Sequence, residues 1–277
     1  FGGSSTWSLA AHHIEVASEE FLKELRGQKN LRHLSLRAIS RIFELPPFIF
    51  QLEYLEILDL KACHNLETLP SDISPLRYLI HLDLSQCYLL DRMPKGIESL
   101  IRFWVLKGFV LGSSRKTPCR ISDLANLKYL NRLSIRIVSG AVIQGGEFQS
   151  LKELSKLEYL KISWGVFDTR YTDIQISFPS SLKNLHLEGF PGQNIPEWLK
   201  LSKLPSKSKL PHKVSKESEL SKSPEALTEL HMTGGKLTNL DHRENNINWG
   251  MEIVRLKYLK HLNVDLTNLQ ELFPLLR

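Results

Sequence analysis

The chain repeats one apolar rhythm. Its clearest stretch is residues 55–102, where LEILDLKACHNLETLPSDISPLRY is followed directly by LIHLDLSQCYLLDRMPKGIESLIR. Laid residue on residue, Leu55, Leu58 and Leu60 match Leu79, Leu82 and Leu84, Cys63 matches Cys87, and Ile73 and Leu76 match Ile97 and Leu100, so the period is 79 − 55 = 24 residues. Leu58 and Leu60 alternate with Ile57 and Asp59, which predicts a short strand with its leucines turned to one side. The same signature recurs at Leu31-Leu34-Leu36, Phe103-Leu106, Leu130-Leu133-Ile135, Leu157-Leu160-Ile162, Leu182-Leu185-Leu187, Leu227-Leu230-Met232 and Leu259-Leu262-Val264, giving nine strands from Leu31 onward.

One such turn cannot bury its own apolar row, but stacked turns bury each other's. The sequence therefore predicts an α/β leucine-rich repeat solenoid, a horseshoe with a parallel sheet on the concave face and irregular or helical segments on the convex face. Nine strands at about 4.8 Å make a sheet roughly 40 Å long. The whole chain, 1–277, reads as one repeat domain, with 1–30 as an atypical first repeat or cap in which residues 19–27 look helical. The pattern loosens after residue 102. Gly108 stands where the third leucine should be, residues 112–120 form a polar basic loop, and Ile121, Leu124 and Leu127 restore the spacing of a short helix. Between Leu182 and Leu227 the spacing grows to 227 − 182 = 45 residues. The surplus sits in 202–223, whose seven Ser and six Lys predict a mobile insertion, either a plain solvated loop, a contact site for an acidic partner or a phosphorylatable switch.

Composition narrows the compartment and the chemistry. The net charge of +6 permits acidic partners without requiring them. Three cysteines are no disulfide framework, and Cys63 and Cys87 share one buried slot of the repeat. With no Asn-x-Ser/Thr sequon as well, the chain suits a reducing, cytoplasmic setting. No apolar run reaches the roughly 18 residues of a membrane span. The chain starts without Met and ends on a repeat-like segment, as expected of a piece of a longer protein.

No paired-carboxylate, His-Glu-x-x-His, Cys-x-x-Cys or Gly-x-Ser-x-Gly arrangement is present, so the chain is read as non-enzymatic, with no catalytic residue, metal or cofactor of its own. His12 and His13 are adjacent and would point to opposite faces of a strand, which argues against a shared metal. Function is expected on the solvent-facing strand positions. The partner-binding candidates are Arg32 and Arg37 on the first strand, Ile57 and Asp59 on the second, Ile80, His81 and Asp83 on the third, and Trp104 on the fourth. They continue as Arg132 and Arg136, Tyr159 and Lys161, Lys183 and His186, His231, and Lys260 and His261. Exposed aromatics beside Arg are common interface anchors. Trp104, Val105 and Tyr159 qualify as apolar candidates, with inward packing the competing reading for Trp104 and Tyr159 and the favoured one for Trp164. The mixed signs along the face argue against nucleic acid, which needs a continuous basic stripe.

The stretch LETLPSDISPLRYLIHLDLSQC resembles the repeats of plant intracellular nucleotide-binding immune receptors. Phe109, Val110 and Gly112, followed by Ile121, Ser122, Asp123, Leu124 and Leu127, resemble a block of the coiled-coil class of these disease resistance proteins, and ISWG at 162–165 resembles the strand that often follows it. The resemblance covers residues 31–272. It implies a domain that senses a pathogen effector or a guarded host protein and restrains an upstream nucleotide-binding module, where ADP or ATP would bind. This chain has no Gly-rich phosphate loop, so that module would lie before residue 1. Two alternatives remain, the substrate-recognition domain of an F-box-type ubiquitin ligase and a stand-alone signalling scaffold.

Overall fold

A computed structural model describes residues 22–23, 25–113, 119–165, 171–172, 174–192, 226–235 and 261–265. The expected insertion at 202–223, the paired histidines at 12 and 13, and Lys260 lie outside the described residues, as does most of the expected cap at 1–30.

Nine strands form one sheet in chain order, each hydrogen-bonded in parallel to the next. They are β1 (His33–Ser35), β2 (Ile57–Asp59), β3 (His81–Asp83), β4 (Val105–Leu111), β5 (Arg132–Ile137), β6 (Tyr159–Trp164), β7 (Asn184–Glu188), β8 (Glu229–Thr233) and β9 (His261–Asp265). Each falls on a predicted leucine signature. The register pairs equivalent positions, for example Leu34 with Leu58, Leu58 with Leu82, and Leu82 with Leu106. Behind the sheet these leucines merge into one buried core running from Leu22 to Met232.

The connecting segments are 3-10 rather than α-helical: Pro47–Gln51, Ile97–Ser99, Ile121–Asn126 and Glu147–Glu153. The reason is in the spacing. Ile97, Leu100 and Phe103 are three apart, as are Ile121, Leu124 and Leu127, and Phe148, Leu151 and Leu154, and all are buried. A helix with three residues per turn puts every third side chain on one line, whereas at 3.6 per turn the row would drift off the core.

The loosened repeat at 103–111 is a deliberate irregularity. β4 pairs Leu106 with Leu133 but Phe109 with Ile135, so it carries one extra residue. Gly108 absorbs that residue at φ +77°, as bulges with a left-handed glycine do. A Cβ there would lie 2.6 Å from the Leu84 carbonyl carbon. Phe109 then occupies the missing leucine's place and is completely buried.

Each repeat cysteine ties its turn to the one before. The Cys63 thiol donates to the Leu36 carbonyl at 3.0 Å and the Cys87 thiol to the Leu60 carbonyl at 3.1 Å. Burial pushes their thiols up to about 11 and about 12, and both are free, as is Cys119. No helix among the described residues is long and apolar enough to cross a membrane.

Candidate functional site

The solvent face of the sheet is built from the alternate residues of β1–β8, because a period of two sends every residue beside a core leucine outward. Most of the charges predicted to meet a partner instead meet each other across adjacent strands. Arg32 reaches Glu56 at 2.7 Å, and Arg37 grips Asp59 through two nitrogens at 3.0 and 2.7 Å. Lys107 pairs with Asp83 at 3.2 Å, Lys161 with Glu188 at 3.0 Å, and Lys183 with Glu158 at 2.7 Å. At the far end His186 accepts from or donates to Thr233 Oγ1 at 3.0 Å, its ring 5.8 Å from that of His231, which lies 3.7 Å from Glu229.

Two positions expected on the open face are covered. Asp83 is only 2% exposed. Burial alone would raise its carboxyl, but hydrogen bonds from Ser85 and the charge of Lys107 outweigh it and hold the group below its ordinary value. Val105 is 8% exposed, flanked in register by the larger His81 and Arg132. His81 itself is half-buried with Nε2 unpartnered, and burial, reinforced by Lys107, pulls its pKa down.

Arg136 leaves the face altogether. Its guanidinium donates to the carbonyls of Tyr88 and Cys87, each at 3.0 Å, and to that of Leu90. It thus crosses the bulged repeat to close the turn two repeats earlier. Nothing in the residue pattern marks this, because Arg136 looks like any other outward strand residue.

What stays open to a partner is a smaller, more apolar set. Trp104 is 45% exposed, next to half-buried Ile80, whose carbonyl accepts from the Trp104 N–H at 2.8 Å. Arg132 lies over the half-buried Tyr159 ring at 5.3 Å, so the two form one unit. Trp164 is turned inward, 5% exposed and edge-on to Phe190 at 5.3 Å. For His261 the strand position in β9 is described. Among the described residues no group of three His, Cys, Asp or Glu side chains could hold a metal.

An open parallel sheet with one strand per turn, a leucine ladder behind it and a varied polar face in front defines a leucine-rich repeat solenoid, a fold typical of interaction scaffolds. A family model for a leucine-rich repeat region matches residues 9–221, and the chain belongs to that family. Its repeats are similar to those of a plant disease resistance protein: the chain is 30% identical over 272 residues to disease resistance RPP13-like protein 4 of Arabidopsis thaliana, across 95% of this chain. The chain spans only 29% of that relative's length. Among solved structures it is similar to an internalin of Listeria monocytogenes (TM-score 0.44, 19% identity, 90% of this chain and 66% of that one). It is also similar to a leucine-rich repeat protein of Leptospira interrogans (TM-score 0.31, 18% identity, 86% of this chain and 71% of that one).

Proposed function

We propose that this chain is the sensing domain of a cytoplasmic plant immune receptor. In this reading it recognises a pathogen effector or a guarded host protein and restrains a nucleotide-binding module encoded before residue 1. The chain would bind no cofactor itself, and ADP or ATP would belong to that module. The similarity to a curated resistance protein over 95% of the chain supports the class.

The observation that carries the recognition role is the composition of the sheet face. Its charges are largely neutralised within the face, so they set its shape and reject ill-matched partners, while Trp104, Ile80 and the Arg132–Tyr159 unit supply desolvatable contact area. The test has two parts. The coding sequence upstream of Phe1 should encode a Gly-x-x-x-x-Gly-Lys-Ser/Thr loop, and an F-box there would transfer the chain to ubiquitin-ligase recognition. In the full-length protein, Trp104→Ala with Tyr159→Ala should abolish partner-triggered signalling while accumulation stays normal. Unchanged signalling would overturn the role given to this face.

A further inference from the structure

At five consecutive turns the residue just before the first apolar position of the repeat is a tyrosine or a long cation: Tyr54, Tyr78, Arg102, Tyr129 and Lys156. These residues lie where each turn enters its strand, on one lateral edge of the solenoid and not on the sheet face. Tyr54 and Tyr78 stack with centroids 5.5 Å apart. Arg102 lies over Tyr78 at 5.2 Å, and Lys156 lies over Tyr129 at 4.5 Å. All three rings are exposed, and so is Ile101, the most exposed large apolar side chain among the described residues at 59%.

The charge on this edge differs from that on the sheet face. Arg77 and Lys128, each one residue before a ladder tyrosine, are exposed cations like Arg102 and Lys156. Lys128 donates to the Glu153 carbonyl at 3.1 Å, a neutral acceptor. Among the described residues no carboxylate forms an ion pair with any of these four, whereas the face cations Arg32, Arg37, Lys107, Lys161 and Lys183 are each paired. Glu53, beside Tyr54, and Glu153, whose carbonyl takes the Lys128 bond, are acids along it. Against them stand Arg77, Arg102, Lys128 and Lys156, so the edge is net positive on an aromatic support.

We propose that this edge binds an acidic segment of a partner protein. Five turns span four gaps, about 19 Å at 4.8 Å each, which an extended segment covers in about six residues. Its carboxylates meet Arg102, Lys156 and the tyrosine hydroxyls, and an apolar side chain settles on Ile101, whose neighbour Arg102 is two residues from Trp104. Nucleic acid fits less well. Bases need free ring faces, and here Tyr54 and Tyr78 each give one face to their mutual stack, while Arg102 and Lys156 lie over the rings of Tyr78 and Tyr129. The proposal does not depend on an upstream module, since it concerns a surface wholly within this chain.

The probe is a fluorescein-labelled random Glu/Tyr copolymer, titrated against the full chain by fluorescence anisotropy, with labelled oligothymidine as the competitor class. Saturable binding is expected, weakened about tenfold or more by Arg102→Glu with Lys156→Glu, and weakened again by raising salt. Arg92→Glu, an exposed cation outside the ladder, should leave it unchanged. Tyr78→Phe with Tyr129→Phe keeps the rings and removes only their hydroxyls, so a severalfold loss would implicate those hydroxyls without endangering the fold. Copolymer binding that survives both charge reversals, no binding at about 1 mM, or tighter binding of oligothymidine would each overturn the proposal.

Discussion

Replacing Arg136 by methionine separates a structural arginine from a recognition arginine. The guanidinium serves three carbonyls 46 to 49 residues away in sequence. Hydrogen bonds from a charged donor contribute about 1.5–3 kcal/mol each, but three sharing one partly buried group do not add in full. The Cys87 carbonyl also accepts from the Leu90 N–H at 3.2 Å, so it keeps a partner when the arginine goes. That leaves two carbonyls dependent on Arg136 and a loss of about 3 kcal/mol. With a urea slope of about 3 kcal/mol per molar, the midpoint should fall by about 1 M. Lysine at this position keeps the charge but not the planar fork, so Arg136→Lys should recover only part of the loss. Arg132→Met, on the same strand, is the control. It removes one cation–ring contact worth about 0.5–1 kcal/mol and should move the midpoint by about 0.3 M or less. Urea unfolding followed by far-UV circular dichroism reads all three. If Arg136→Met lay within about 0.2 M of the parent, the three carbonyl contacts would not hold the turn and the reasoning would fail.

Other expectations follow from the same geometry. Gly108→Ala should destabilise by about 2–4 kcal/mol, combining a left-handed backbone with a Cβ driven onto the Leu84 carbonyl. Gly27→Ala, where nothing lies within 4 Å, should be nearly neutral, and equal urea midpoints for the two variants would refute the bulge argument. Cys63 and Cys87, raised to about 11 and about 12 by burial, should resist iodoacetamide in the native protein and react once urea is added, as read by peptide mass mapping. His81 and His186 both have pKa values lowered first by burial and then by a neighbouring lysine. A lowered folded value gives stability that is whole above the unfolded histidine value of about 6.5 and is lost as pH falls through the folded values. The urea midpoint should therefore drop from neutral pH to about pH 5, less so in His81→Gln with His186→Gln, and a flat profile in the parent would count against their neutral burial.

How much was legible in the sequence depended on whether a signal was periodic. The strands repeated Leu-x-Leu, and their positions are those expected. The 3-10 character of the connecting segments is equally present in the three-residue spacing of Ile121, Leu124 and Leu127, although that spacing also suits a short helix of unspecified type. The bulge at Gly108 showed only as a missing leucine, because the sequence marks a lost position without saying that Phe109 replaces it. Arg136 was illegible for a different reason. Its partners are backbone carbonyls, which carry no sequence signature. Cross-strand ion pairs were half visible: alternating signs along the strand columns gave the charges, and parallel register decided that they neutralise one another.

That neutralisation changes where specificity arises. A paired surface ion contributes little net affinity, because its interaction with a partner must compete with one already made. Had the face cations been free, the sheet would attract acidic proteins broadly and discriminate poorly. With Arg37 held by Asp59 and Lys183 by Glu158, a partner of the proposed face would have to match shape around Trp104 and Tyr159 and offer hydrogen bonds that leave those pairs intact. The lateral edge has the opposite character, free cations on exposed rings, suited to rapid and salt-sensitive capture. A partner that uses both surfaces would meet the edge first through charge and then be selected by the face through fit. Charge reversal at Arg102 and Lys156 should then slow association, while Trp104→Ala should speed dissociation. Stopped-flow binding of such a partner would show both effects in one rate constant if the two surfaces acted as one, and that result would refute the division.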